Sequence, residues 1–381
     1  MPMAIKSAFE SAPCGVYMIW IRGAFLCQPA GRSAGRSPSA KYKGGFMDTC
    51  TCSARSNDQC FFNPQDQLME RRGLINYRPV CLTDRAQLEP YIQAQRFENS
   101  ELTFTDIYIW RKSWHVEWAV ALGALYIRMR MPGKCLMYPV MPLDGVLTRE
   151  MLELAISDMH KSGLRAVMTS VSEEYMERVR AVMPEGWRPT ELIDFADYVY
   201  RAEDLRELVG KRYHGKRNHV ARFMRDYAGR YAYRPLRACD MGECLKLWDK
   251  WYAGRVEGMD MDQKLAAAQE REMIAEAFGA MNLLGLRGGV VELDGVMAAF
   301  TLGERERDIM YVRLEKGLDE YEGIYAFINR EFAREGFEDI SWINREEDMG
   351  IPGLRRSKQS YYPDHMVKKF QLSFEAEDAQ P

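Results

Sequence analysis

No apolar run of about 18 residues occurs in this chain, so nothing in it is built to span a bilayer. The nearest candidate, Val16 to Cys27, is short, is broken by Arg22, and lacks the charged start and clean apolar middle of a secretion signal. The nine cysteines follow no pairing pattern across 381 residues, which argues against a secreted disulfide framework and for a reducing, cytoplasmic setting. Cys50, Cys52 and Cys60 supply three thiols without a fourth ligand at zinc spacing, so no metal is expected there. Cys81, Cys135, Cys239 and Cys244 read as small core hydrophobes. Net charge is close to balance, at −3, which leaves any attraction for nucleic acid or anionic lipid to a local patch. Also missing are a P-loop, a dinucleotide fingerprint, an EF-hand and a Ser-His-Asp arrangement, which removes the kinase, dehydrogenase and hydrolase readings at the level of motifs.

Apolar material is ample. Hydrophobic residues make up 47% and charged residues 28%, enough for two domains with their own cores. Residues 1–46 are the exception: Gln28 to Gly45 is rich in Gly, Ser, Ala and basic side chains, so we expect a disordered extension, with Met47 as the natural start. Regular patterning begins at Leu74 with a strand over Ile75 to Cys81 and a helix from Asp84 through Ile92. Strands at Tyr126 to Met131 and Cys135 to Val140 flank Pro132-Gly133, a turn dipeptide. Thr148 to Ser162 is an amphipathic helix with early acids, Leu164 to Ser170 a strand, Glu173 to Val182 a helix and Glu191 to Tyr200 a strand. This alternation predicts an α/β domain over residues 70–203.

Residues 204–230 read as a helical connector. Val220, Phe223, Met224 and Tyr227 recur at helical spacing, leaving Lys211, Arg212, Lys216, Arg217, Arg222 and Arg225 as the densest positive charge in the chain. Two readings stand side by side: Lys216, Arg217, Arg222 and Arg225 neutralise phosphates, or they form a solvated face paired with neighbouring acids. Asn218 is mildly unfavourable within a helix, so a hydrogen-bonding task suits it; Tyr213 and His214 either stack on a base or pack. A second domain, 231–372, begins with a strand at Tyr231 to Leu236 and helices over Met241 to Tyr252 and Leu265 to Phe278. A hairpin then turns at Asp294-Gly295. A strand at Asp308 to Leu314, a helix at Ile324 to Arg334 and a strand at Ile340 to Asn344 follow, and residues 373–381 are a tail.

The most informative stretch is Trp342 to Pro363, W-I-N-R-E-E-D-M-G-I-P-G-L-R-R-S-K-Q-S-Y-Y-P. It delivers Asn344, then Arg345, Glu346, Glu347 and Asp348. Gly350 and Gly353 permit backbone conformations or close approaches that a Cβ would block. Arg355, Arg356 and Lys358 can bind a phosphate or carboxylate, and Tyr361 and Tyr362 add flat amphipathic surface. The alternative is a solvated turn whose charges pair among themselves.

This segment resembles a signature of the family related to the C-terminal domain of phosphatidylglycerol lysyltransferase. Leu208 to Phe223, L-V-G-K-R-Y-H-G-K-R-N-H-V-A-R-F, resembles a second, basic motif of that family, and together the two place roughly residues 70–372 inside it. The resemblance implies an α/β (α+β) chain of two tandem GNAT-like (acyl-CoA N-acyltransferase) domains, each a mixed twisted sheet flanked by helices. It implies kinship with Fem peptidyltransferases, which move amino acids from aminoacyl-tRNA. GNAT enzymes seat the donor pyrophosphate at a helix N-terminus after a central strand. Here that place is Arg313 to Gly323, where Leu318, Asp319, Glu320 and Glu322 crowd the loop and the glycine spacing departs from the usual pattern. An aminoacyl-tRNA donor therefore suits the chain better than coenzyme A or an acyl-CoA, with a small amine, a phospholipid headgroup or a peptide as acceptor. Acyl transfer needs a base and an oxyanion stabiliser. Glu347 or Asp348 is the expected base, with Arg355 or Lys358 as clamp and His365 as an alternative base, in a cleft whose phosphates meet Lys216, Arg217 and Arg222. A binding module without catalysis remains the rival class.

Overall fold

The computed structural model describes residues 74–131 and 134–375. The expected N-terminal extension, the Cys50–Cys60 thiols and the Pro132-Gly133 turn lie outside those residues.

The chain opens with β1 (Arg78–Pro79), α1 (Arg85–Gln95), α2 (Phe104–Ile109), β2 (Val116–Ala121), β3 (Ala124–Met131), β4 (Lys134–Met137) and β5 (Met141–Pro142). Next come α3 (Arg149–Lys161), β6 (Val167–Val171), α4 (Glu173–Val182) and β7 (Trp187–Glu191). Local chemistry explains the helix starts. Thr148 caps α3 by accepting from the Met151 amide, and Ser172 caps α4 by accepting from that of Tyr175. α3 then buries Met151, Leu152, Ala155 and Met159 on one stripe, as its periodicity requires.

The second stretch runs β8 (Asp197–Arg201), α5 (Ala202–Glu207), α6 (His214–Asp226), β9 (Tyr231–Pro235), α7 (Met241–Ala253), α8 (Met261–Gly279) and α9 (Met281–Leu284). It continues with β10 (Arg287–Leu293), β11 (Val296–Glu306), β12 (Ile309–Gly317), α10 (Ile324–Glu335), β13 (Trp342–Asn344), α11 (Pro352–Gln359), β14 (His365–Val367) and β15 (Phe370–Phe374). Asp294 and Gly295 both take positive φ, 52° and 77°, between β10 and β11, the backbone a tight two-residue hairpin needs.

Two mixed sheets result. The first is ordered β1-β2-β3-β4-β6-β15-β7, with β5 on β3; the second is β14-β8-β13-β12-β11-β10-β9. The single strand expected at Glu191 to Tyr200 is in fact two, β7 and β8, parted by a short helical turn at Ile193–Phe195, and they join different sheets. β8, which opens the second stretch, sits inside the second sheet, and β15, the last strand of the described residues, sits inside the first. The second stretch thus lends the first sheet an internal strand, β15.

Parallel pairing is brief in both sheets. β4 and β6 share one register pair, Met137 with Met168, and β12 and β13 share three, ending at Tyr311 with Asn344. Beyond those points the strands part. One apolar cluster packs α3 and α4 on the first sheet, a second packs α5, α6 and α10 on the other, and a third joins α1, α2 and β2–β3 to α7, α8 and β10–β12. Cys135 and Cys244 are buried as anticipated, whereas Cys239 is exposed.

Candidate active site

A network of buried charge lies at the seam of the two halves, where the third apolar cluster gives way to polar side chains. Its first anchor is Arg313. Leu302 pairs with Leu314 while Gly303 pairs with Val312, so Arg313 is the extra residue of a β-bulge, a device that re-aims a side chain. Gly303 is required beside it, because a Cβ there would come 2.5 Å from the Tyr311 carbonyl oxygen. The Arg313 side chain is 1% exposed. It donates to Glu304 at 2.9 Å, Thr103 Oγ1 at 2.6 Å, Glu346 at 2.7 Å and Asp106 at 3.3 Å. Thr103 also caps α2 and donates to Glu304 at 2.7 Å. Burial holds the Asp106 carboxyl well above its ordinary range despite Arg313, and its Oδ2 is buried without a partner.

The second anchor is Lys369, which immediately precedes β15. It is fully buried and meets Asp197, at the start of β8, at 2.6 Å, Glu101 at 2.7 Å and Glu347 at 3.9 Å. The Asp197 carboxylate also accepts from the Ser100 amide at 2.8 Å and from Asn344 Nδ2 at 3.1 Å. Asn344 Oδ1 in turn accepts from the Glu346 amide at 2.7 Å. The side chains of Glu101, Glu346 and Glu347 are 17%, 23% and 23% exposed, so three carboxylates form a mouth over a floor of two buried cations. Burial is the main cause that pushes Glu101 and Glu346 up to about 7, with Lys369 and Arg313 respectively resisting and Glu347 adding to both. A small cleft at the seam is lined by Phe97, Leu102, Thr103, Glu306 and Tyr311.

The profile of the family described as "Phosphatidylglycerol lysyltransferase, C-terminal" matches residues 94–372, which includes every residue of this network. The chain belongs to that family. A conserved protein of unknown function from Bacteroides thetaiotaomicron VPI-5482 has the same fold, with 29% identity, a TM-score of 0.73, and coverage of 79% of this chain and all of that one. The C-terminal domain of a putative lysylphosphatidylglycerol synthetase from Agrobacterium fabrum is 13% identical with a TM-score of 0.53, covering 77% of this chain and 93% of its own. FemX is 9% identical with a TM-score of 0.50, covering 78% and 97%. The fold is thus the tandem GNAT-like arrangement. A curated relative, an uncharacterised protein of Mycoplasmoides gallisepticum, is 21% identical over 174 residues, 46% of this chain and 54% of its own length; the chain spans about half of that relative.

The family's signature loop folds around its own charges. Asp348, expected as a base, is instead gripped by Arg355 through two hydrogen bonds of 2.8 Å, by Tyr198 at 2.5 Å and by the Gly350 amide at 2.8 Å, which together hold its carboxyl below the usual range even though burial pushes the other way. Arg355 Nη2 also donates to Asp194 at 2.6 Å, so Nε and Nη2 of the expected substrate clamp hold the loop instead. Lys358 does the same from the other side. Its ammonium donates to the carbonyls of Arg345, Glu346 and Glu347, and burial pushes it down to about 8. Gly350 turns with φ 71° against Asp194, while Gly353 lies in the first turns of α11 with open space around it. Tyr361 is buried and its carbonyl accepts from Tyr213 at 3.0 Å. His365, the alternative base, bridges Asp364 at 3.2 Å and Glu98 at 3.3 Å and stacks edge-on against Trp342, outside the network.

The basic connector is divided between α5 and α6, and most of its cations are occupied. Arg217 donates to the Leu208 and Gly210 carbonyls, Arg222 pairs with Glu322, Arg225 with Asp226 and Arg212 with Asp204, while Asn218 meets His214 at 3.3 Å. Of the sequence-derived candidates, Asn344 and Glu347 lie in the network and Lys216 and Arg345 beside the loop. Glu101, Asp106, Asp197, Glu304, Arg313 and Lys369 were not singled out as site residues, although a signal existed: Arg313 interrupts the apolar run I-M-Y-V-R-L, and Glu304 follows A-A-F-T-L-G. A charge in the middle of a buried strand has to be answered by another charge.

Proposed function

We propose that this chain is an aminoacyl transferase that takes its acyl group from an aminoacyl-tRNA and passes it to an amine, a lipid headgroup or a peptide. The observation that carries this reading is the acidic surplus at the seam. Glu101, Asp106, Asp197, Glu304, Glu346 and Glu347 converge there, against Arg313, Lys369 and a Lys358 already spent on backbone carbonyls. A buried cluster of that sign is relieved by a cationic guest. The ammonium of an aminoacyl ester, or of an amine acceptor, is such a guest, and it suits a family named for a lysyltransferase.

The chemistry needs little beyond this. An acceptor amine arrives protonated, and Glu101 and Glu346, with pKa values near 7, can take its proton close to neutrality. The free amine then attacks the ester carbonyl. The C–N bond forms, the C–O bond to the ribose breaks, and the proton passes on to the leaving hydroxyl. Glu347, the base expected from the signature loop, faces the same mouth and can share the task.

Acyl-coenzyme A suits the helix termini poorly. At α10, a Cβ on Gly323 would come 2.4 Å from the His219 carbonyl oxygen, so α6 presses on the helix start. The acids of the preceding loop are paired, Glu322 with Arg222, Asp319 with Arg255 and Glu320 with Lys250. In the first half, α4 opens with Glu173 and Glu174, which repel a pyrophosphate.

The test is a transfer assay: purified protein, charged bulk tRNA carrying labelled amino acids, and acceptors drawn from amines, anionic vesicles and peptides, run beside labelled acetyl-coenzyme A. Label transferred from tRNA, and reduced at least about tenfold by Glu346→Gln, supports the reading. Turnover with the coenzyme A ester alone, or none with any donor, sinks it.

A further inference from the structure

One cation of α6 remains unaccounted for. Lys216 makes no ion pair among the described residues; its ammonium lies 3.8 Å from the centroid of the Tyr361 ring, and the Arg345 guanidinium lies 5.1 Å from the same centroid. Arg345 spends Nη2 on Glu315 at 3.0 Å, while its Nη1 is buried and has no hydrogen-bond partner. Asn329 Oδ1 nearby is also buried and unpartnered, and its Nδ2 reaches Glu315 at 3.5 Å. Two cations therefore lie against one aromatic ring, and the one carboxylate beside them is paired with Arg345. Burial, then Arg345, pushes Lys216 down to about 8, and Glu315 alone among its causes pulls the other way.

The site comes from α6, α10, β12 and the signature loop, at the point where β12 and β13 have parted. Glu346 takes a positive φ of 57°, and successive side chains turn to opposite sides: Arg345 to Glu315, Glu346 to Arg313. One peptide unit thus separates a cationic subsite from the acidic mouth. On the outer side, Tyr362 is exposed, with the Arg212 guanidinium 5.7 Å from its ring centroid and Lys211 exposed nearby in sequence. A flat ring beside a guanidinium is a stacking surface for a base.

We propose that Lys216 and Arg345, backed by Tyr361, form a subsite for a phosphodiester of a single-stranded nucleotide end. A tetrahedral oxyanion accepts from the free Nη1 and from the ammonium together, and it removes the like-charge repulsion between them. Base stacking on Tyr362 favours a nucleotide over a lipid headgroup. The proposal rests on the aminoacyl-tRNA reading, whose donor carries its ester at such an end.

Calorimetric titration of the trinucleotide CCA, inorganic phosphate and glycerol 3-phosphate into wild type, Lys216→Met and Lys216→Arg tests it. A charge-assisted hydrogen bond of roughly 1.5–3 kcal/mol predicts CCA affinity at least about tenfold weaker in Lys216→Met. Lys216→Arg should keep the affinity and lose the part of its decline between pH 7 and 9 that Lys216 contributes. Equal affinity of wild type and Lys216→Met for CCA overturns the subsite, as does a wild type that binds neither CCA nor phosphate. Glycerol 3-phosphate bound as tightly as CCA overturns the nucleotide assignment. Lys216-dependent CCA binding with no aminoacyl transfer would sink the transferase reading and leave the subsite standing; transfer with Lys216-independent binding would do the reverse.

Discussion

Replacing Lys369 by methionine keeps the length of the side chain and deletes a charge that is wholly buried among Asp197, Glu101 and Glu347. Asp197 is itself fully buried, so nothing outside the protein can take over from the ammonium. Breaking a buried pair in this way costs about 3–5 kcal/mol, because one ion is left without its partner. With about 300 folded residues and about 2.1 cal/mol/K of unfolding entropy per residue, that loss lowers Tm by roughly 5–8 °C at pH 8. The sign of the pH dependence follows from the same geometry. Burial already raises the Glu101 carboxyl, and without the opposing Lys369 it holds its proton still more tightly in the folded than in the unfolded chain, so stability is recovered at low pH and lost as pH rises. Scanning calorimetry of wild type and variant at pH 8 and pH 5.5 therefore shows a deficit that narrows in acid. A loss under about 1 kcal/mol at pH 8, or a deficit as large at pH 5.5, would show that the network is solvated and refute the reasoning.

Gly323→Ala combines a φ of +86° with a Cβ 2.4 Å from a backbone oxygen, and should cost at least about 1–3 kcal/mol in urea denaturation, where an exposed helix-start glycine would tolerate the change. Arg222→Ala removes half of an exposed pair with Glu322 and should change stability by under about 1 kcal/mol while leaving CCA affinity as it was. Asp348→Ala frees Arg355, Tyr198 and the Gly350 amide and should cost about 2–4 kcal/mol, with an accompanying rise in proteolysis of the segment between Arg345 and Ser360. Glu101 and Glu346, raised from 4.5 to about 7 on folding, bind protons more tightly in the folded chain, so wild-type stability declines from about pH 4.5 to 7 while the transfer rate climbs through pH 7; Glu346→Gln should flatten both profiles.

Much of the fold was legible because local rules decide it. The helix at Glu173–Val182 lies where its cap and acids place it, and the Asp294-Gly295 hairpin where its turn chemistry does. Strand membership was not legible, since Asp197–Arg201 and Phe370–Phe374 carry ordinary strand patterns and only distant partners determine which sheet receives them. α11 went unseen because Gly353 and a run of charge looked like a loop, although Pro352 at its first position is a recognised start. The site was half legible. The family signature pointed to Asn344 and Glu347, but a sequence cannot show whether a carboxylate faces a cleft or an arginine seven residues on, and Asp348 does the latter. Glu101 and Lys369 sit 268 positions apart and acquire meaning only when the halves meet.

The lent strand β15 also bears on how the chain comes to exist. The first sheet, begun at Arg78, has a gap between β6 and β7 until Phe370–Phe374 has been synthesised, whereas the second takes all its strands from the continuous stretch between Asp197 and Val367. The first half therefore cannot mature on the ribosome ahead of the second, and cutting the gene between Glu191 and Asp197 yields a first product that lacks an internal strand and a second that carries a stray one. β15 brings Lys369 with it, so closing the first sheet and neutralising Asp197 happen in one event. A nascent chain short of that point exposes unpaired strand edges, the state from which aggregation starts.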